Sequence, residues 1–123
     1  MKETEKFLDS YAIIEILKNN PAYEKTAEAE PVSTRFNLIE VAYHLLSELP
    51  KEKAALIINS LKIKTLEIQE TQITKIALFR KEHAKKNLSY IDCIGYVLAK
   101  ENNIPFVTGD KQFQGMENVK FLK

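Results

Sequence analysis

Short apolar runs and longer amphipathic stretches take turns along the chain. Lys6–Leu8 reads as a first strand that ends at Asp9. Tyr11–Lys18 carries Ile13, Ile14, Ile16 and Leu17 at helical spacing, and Asn19, Asn20 and Pro21 stop it. Ala22–Ala29 reads as a weaker helix and Pro31–Thr34 as a second strand. Phe36–Leu49 repeats apolar residues at Phe36, Ile39, Tyr43, Leu46 and Leu49 until Pro50 ends it. Lys51–Leu61 is a further helix, with Ala54, Ile57, Ile58 and Leu61 on one face. Ile63–Leu66 reads as a third strand. Gln69–Asn87 follows as a helix, with Ile73, Ile76, Leu78, Phe79 and His83 turned partly inward. Ser89–Asn102 is a helix whose core face is Ile91, Ile94, Val97 and Leu98. Ile104–Thr108, "IPFVT", is the clearest strand, Gly109–Lys111 a turn, and Val119–Leu122 an edge strand. Strands that alternate with helices predict an α/β fold, a mostly parallel sheet covered by helices. Such sheets carry their sites at the carboxyl ends of the strands.

Composition narrows the class. The 123 residues suit one domain, 1–123, and 45% apolar content supports a real core. Lys plus Arg number 18 against 17 Asp plus Glu, which argues against a nucleic-acid binder that works by bulk charge. A lone cysteine, Cys93, permits no internal disulfide and fits a reducing, cytoplasmic setting. No apolar run is long enough for a membrane helix. With only Gly95, Gly109 and Gly115, the chain has no glycine-rich phosphate loop.

The acids change the picture. Asp occurs only at Asp9, Asp92 and Asp110, against fourteen Glu. Each has a plain local reading. Asp9 can cap the helix that follows it, Asp92 completes a capping box with Ser89 in "SYID", and Asp110 can cap a turn before "KQF". Glu40 stands three residues after Asn37 in "NLIE", a similar geometry if a helix starts there, and it sits among Leu38, Ile39, Val41 and Ala42. Jointly, four carboxylates near strand ends and first helical turns would repel one another and resist burial. A hard divalent cation, Mg²⁺ or Mn²⁺, resolves that conflict.

Three pieces, "FLDSYAII", "RFNLIEVAYHLL" and "LSYIDCIGYVLAKENNIPFVTGDKQF", in that order, resemble a PIN domain, particularly the small VapC-type toxins. The resemblance implies a PIN-like three-layer α/β/α fold and a metal-dependent ribonuclease. It places the acidic cluster on Asp9, Glu40, Asp92 and Asp110, with Asp9, Asp92 and Asp110 as metal ligands. The family's small hydroxyl positions fall on Ser10 and Thr108. Two residues depart from the pattern: Gln112 stands where many relatives have a further acid, and Cys93 where Ala is usual. The first favours a single ion until RNA arrives; the second is a small apolar substitute. RNA substrate, an antitoxin protein partner and a homodimer follow by the same analogy. Tyr43 and Leu46 mark an apolar groove for a partner.

Among basic residues, Arg35 and Lys111 are the better phosphate contacts because each adjoins a proposed site residue. Arg80, Lys81, Lys85 and Lys86 in "RKEHAKK" read as a solvated helix face. His44 and His83 read as structural. Cys93 has no histidine near in sequence to make it a nucleophile. Two other functions fit the pattern less well. One is a non-catalytic PIN module for RNA or protein binding. The other is an aspartyl-phosphate receiver domain, which wants paired acids after its first strand and a Lys where "TGDK" has Asp110.

Overall fold

A computed structural model of the chain describes residues 4–123. Five strands, β1 (Glu5–Leu8), β2 (Glu30–Ser33), β3 (Lys64–Thr65), β4 (Phe106–Thr108) and β5 (Val119–Phe121), form one sheet in the order β3-β2-β1-β4-β5. Every pairing is parallel. Six α-helices flank it: α1 (Ser10–Leu17), α2 (Glu24–Ala27), α3 (Arg35–Leu46), α4 (Lys51–Ser60), α5 (Glu70–Glu82) and α6 (Tyr90–Glu101).

Alternation along the strands builds two cores, one per face of the sheet. Phe7 and Phe106 are fully buried and stack at 5.5 Å on the face covered by α5 and α6. Their neighbours Leu8 and Val107 face the other way, onto Ala12, Ile13, Val41, Leu45 and Ala54. This is the period-2 pattern of a sheet buried on both sides. Gly95 lets α6 lie close on it: a β-carbon there would stand 3.0 Å from the Phe7 ring. The close seat fixes where the first turn of α6 meets the strand ends.

Several expected boundaries move, each for a local reason. The helix expected over 22–29 is a 3₁₀ turn, Pro21–Tyr23, followed by the single turn of α2. The Asn20 side chain accepts from the Ala22 amide at 2.9 Å, so the cap and Pro21 start that turn early. α3 begins after Thr34, whose hydroxyl accepts from the Asn37 amide at 3.1 Å, so Asn37 does not open the helix and Glu40 lies in its second turn. α5 stops at Glu82 rather than reaching Asn87; Lys86 and Asn87 instead reach Gln112 across the fold. β4 starts at Phe106 because the Ile104 amide closes α6 by donating to Ala99 O at 2.9 Å, and Pro105 has no amide hydrogen.

The inward faces also differ from the simple periodic reading. On α3 the apolar residues Phe36, Ile39, Tyr43 and Leu46 are exposed, Tyr43 by 75%, while Asn37, Val41 and Leu45 are buried. On α5, Ile76 is buried but Ile73 and Leu78 are exposed. No helix among the described residues is long and apolar enough to cross a membrane.

Candidate active site

Strand order reverses direction between β1 and β4: from β1 the chain builds outward to β2 and β3, and from β4 to β5. A parallel sheet opens a crevice at that point, at the carboxyl ends of its strands. Asp9 follows β1 directly, and Asp110 comes two residues after β4. The register pairs Leu8 with Val107, which sets Asp9 beside Thr108. Asp92, in the first turn of α6, completes the arrangement. All three aspartates line one depression of about 350 Å³, together with Ser10, Tyr11, Gly109, Lys111 and Lys123.

Each aspartate caps a turn or helix, as its local sequence suggests. Asp9 Oδ1 accepts from the Ala12 amide at 2.8 Å and caps α1. Asp92 Oδ2 accepts from the Ser89 amide at 2.9 Å, while Ser89 Oγ accepts from the Asp92 amide at 3.0 Å, a full capping box. Asp110 Oδ1 accepts from the Gln112 amide at 2.9 Å. A carboxylate has two oxygens, and in each case only one is engaged by the backbone.

Burial is unequal. Asp9 is 4% exposed and is pushed up to about 7 from an ordinary 3.8, chiefly by burial, with the charges of Asp92 and Asp110 adding to it. Hydrogen bonds from Thr108 and the Ala12 amide pull the other way and lose. Asp92 is also raised, mainly by burial and in part by Asp110 and Glu40. Asp92, Asp110 and Glu40 are half-buried, so the expectation of a poorly solvated charge at Glu40 holds less strongly than for Asp9.

Glu40 does not line the depression; it is joined to it through Ser10. The Ser10 hydroxyl donates to Glu40 Oε1 at 2.5 Å and accepts from Asn37 Nδ2 at 3.0 Å. Asn37 in turn accepts from the Thr34 hydroxyl at 2.6 Å. Asn37 is thus a buried strut between α3 and α1 that the sequence reading did not assign to the site. Its signal was a polar residue three after a Thr at a strand end. Tyr11 is a second residue of the site that the sequence pattern does not single out. Its ring lies against Gly109, where a β-carbon would overlap it and stand 2.5 Å from Leu122 O. Lys123 Nζ lies 5.5 Å from the same ring.

The remaining candidates fall elsewhere. Lys111 lines the depression, but Arg35 is the exposed first residue of α3 and does not. Thr108 is fully buried and accepts from the Asp110 amide at 3.0 Å, so it ties two of the acids together. His44 stands 3.7 Å from Glu48 and His83 Nδ1 lies 2.9 Å from Phe79 O, both consistent with structural roles. Burial pushes the Cys93 thiol up to about 11, against a nucleophilic role. Gln112, the departure from the acidic pattern, has its amide on Asp110 and its side-chain oxygen 3.3 Å from the Asn87 amide.

The donor set suits a hard divalent cation in its chemistry: carboxylates, one of them buried and poorly compensated. As placed, however, no three acidic, histidine or cysteine side chains among the described residues stand close enough to hold a metal ion.

A five-stranded parallel α/β/α sheet with aspartates gathered at its switch point defines a class of small acidic-site domains. The PIN domain family pattern matches residues 6–119, and the chain belongs to that family. Comparison with curated protein sequences gave no match. Three solved structures share the fold. A toxin–antitoxin complex from Klebsiella pneumoniae is 15% identical, with a TM-score of 0.73 over 94% of this chain and 95% of that one. VapBC2 from Rickettsia felis, bound to a promoter DNA fragment, is 17% identical, with a TM-score of 0.72 over 97% and 99%. VapC20 from Mycobacterium tuberculosis, a toxin that cleaves the sarcin–ricin loop, is 13% identical, with a TM-score of 0.69 over 90% and 94%.

Proposed function

We propose that the chain is a single-domain, Mg²⁺- or Mn²⁺-dependent endoribonuclease, the toxin partner of a toxin–antitoxin pair acting in the cytoplasm. The observation that carries this is the convergence of Asp9, Asp92 and Asp110 on one depression at the sheet's switch point. Asp9, Asp92 and Asp110 would hold the cation, their carboxylates shifting inward from where they stand as placed. A bound cation would acidify a water and offset charge on the scissile phosphate. Ser10 holds Glu40 toward the site, where that carboxylate orients the attacking water. Thr108 fixes Asp9 and Asp110 relative to one another. Lys111 and Lys123 supply positive charge at the rim for the RNA backbone, and Arg35 a more distant phosphate contact. Products carry a 5′-phosphate and a 3′-hydroxyl. The exposed apolar stripe Phe36, Ile39, Tyr43 and Leu46 supports a protein partner, either an antitoxin or a second copy.

The test is cleavage of RNA by the purified chain with Mn²⁺. Asp9→Asn and Asp92→Asn should each abolish it with the fold intact. Full activity in the double variant, or in excess chelator, refutes the proposal. A second reading, a non-catalytic PIN module, is favoured by the spread of the acids, which leaves no three within reach of one ion as placed. Calorimetry at millimolar Mn²⁺ separates the two, since the module binds none. Membership of the PIN family leaves the receiver reading without support.

A further inference from the structure

We propose that a second pocket beside the first turn of α6, whose charged lining is all basic, binds a backbone phosphate of the same RNA strand, away from the scissile one. The inference rests on the ribonuclease reading and deepens it. The pocket, about 260 Å³, lies where α5 ends and the 83–88 turn runs toward α6; Arg80, Lys81, His83, Lys86, Leu88 and Tyr90 line it, and no carboxylate does. In a chain whose charges nearly cancel, a pocket with three full cations and no acid is a marked imbalance. The ion pairs among the described residues use Lys64, Lys75, Lys100 and His44, never Arg80, Lys81 or Lys86.

Arg80 is arranged for an oxyanion. Its guanidinium carbon lies over the Tyr90 ring, 4.1 Å from the centroid, a cation–π contact that holds the group at the pocket. Its Nε is buried with no hydrogen-bond partner. With Nε shielded, the outer guanidinium N–H groups are the ones left to offer a phosphate a two-pronged fork. Tyr90 itself is 61% exposed, with an open face for a base.

Position links the pocket to the acids. Tyr90 and Asp92 are two residues apart on α6, so they face nearly opposite sides of the same turn. On the other flank, Lys86 Nζ donates to Gln112 O at 2.9 Å, and the Gln112 amide donates to Asp110 at 2.9 Å. A strand crossing the start of α6 meets the basic pocket on one side and the carboxylates on the other. The early end of α5 makes this possible: had the helix run to Asn87, Lys86 would not reach Gln112.

Binding of a labelled single-stranded oligoribonucleotide to the full chain tests this, in an Asp9→Asn background with chelator so that nothing is cut. Adding Arg80→Gln and Lys81→Gln should weaken binding roughly tenfold for all sequences and flatten the plot of log affinity against log salt by about 0.7 per lost phosphate contact. If that variant misfolds, Lys81→Gln with Lys86→Gln serves, since both side chains are exposed. Addition of RNA should also shift the Arg80 Nε–H resonance. Unchanged affinity and salt slope in a folded variant overturn the pocket alone, whether or not the parent chain cuts RNA. A resonance shift with inorganic phosphate but none with RNA assigns the pocket to a free anion and overturns the proposal. So does loss of polyglutamate binding with RNA affinity intact, which assigns it to an acidic polypeptide. A parent chain that cuts no RNA with Mn²⁺, alongside weakened binding in the pocket variant, overturns the ribonuclease reading and leaves the pocket standing.

Discussion

Ser10 Oγ and Glu40 Oε1 lie 2.5 Å apart, so the first residue of α1 holds a carboxylate from the second turn of α3. This bond ties an acid outside the depression to a residue that lines it. Ser10→Ala removes the donor and frees Asn37 Nδ2 as well. Loss of a supporting contact of this kind typically costs 10–100-fold in activity or metal affinity, about the fall expected here in Mn²⁺-dependent RNA cleavage. Ser10→Thr should keep most of the rate, because it keeps the hydroxyl. Equal rates for Ser10→Ala and the parent chain would show that Glu40 needs no such support.

Asp9 makes stability depend on pH in an unusual direction. Its carboxyl is held near 7 in the fold against an ordinary 3.8, so the folded state binds the extra proton between those values. Stability from this group is therefore highest below about pH 4 and is lost as pH rises toward 7, by at most about 4 kcal/mol. Asp9→Asn keeps a capping oxygen for Ala12 without the charge. In chelator the variant should melt above the parent at pH 7.5 and alongside it at pH 4, as read by thermal denaturation. A variant that melts lower at pH 7.5 contradicts the account.

A divalent cation should relieve the same strain. At a hundred times its dissociation constant, Mn²⁺ should stabilise the parent chain by about 2.7 kcal/mol and raise its melting temperature. The Asp9→Asn/Asp110→Asn variant should show no such rise. Equal shifts in both proteins would place the ion elsewhere.

Gly109 holds the Tyr11 ring against the backbone before Asp110, and any β-carbon there meets the ring and Leu122 O. Gly109→Ala should destabilise the fold by roughly 1–3 kcal/mol through overpacking. Tyr11→Ala in the same chain should recover part of that loss, since only the ring contact is relieved. Urea midpoints of the four proteins in the cycle measure the coupling; simple additivity would mean that ring and glycine are independent.

Much of the architecture is legible in the sequence. The alternation from Lys6–Leu8 through Ile104–Thr108 gave a parallel sheet, because buried strands and amphipathic helices have different hydrophobic periods. Asp9, Ser89 and Asp92 announced their caps, because capping depends on residues a few positions apart. The rest depended on contacts between distant segments. Nothing in "RKEHAKKN" says that a helix should stop at Glu82, as its residues favour continuing; the turn is held by Gln112, 25 residues from Asn87. The stripe Phe36, Ile39, Tyr43 and Leu46 has the spacing of a core face, yet α3 turns Asn37, Val41 and Leu45 inward. Periodicity shows that a helix has a face and cannot say which neighbour will cover it.

From sequence alone came the element types, their order and the short-range caps, all governed by chain geometry within a few residues. Which aspartates share a depression, that Glu40 is bonded to its rim by Ser10, and that four basic side chains cluster without an acid were decided by packing. Parallel strands bring residues 9 and 110 together across a hundred positions, and no local preference encodes that distance.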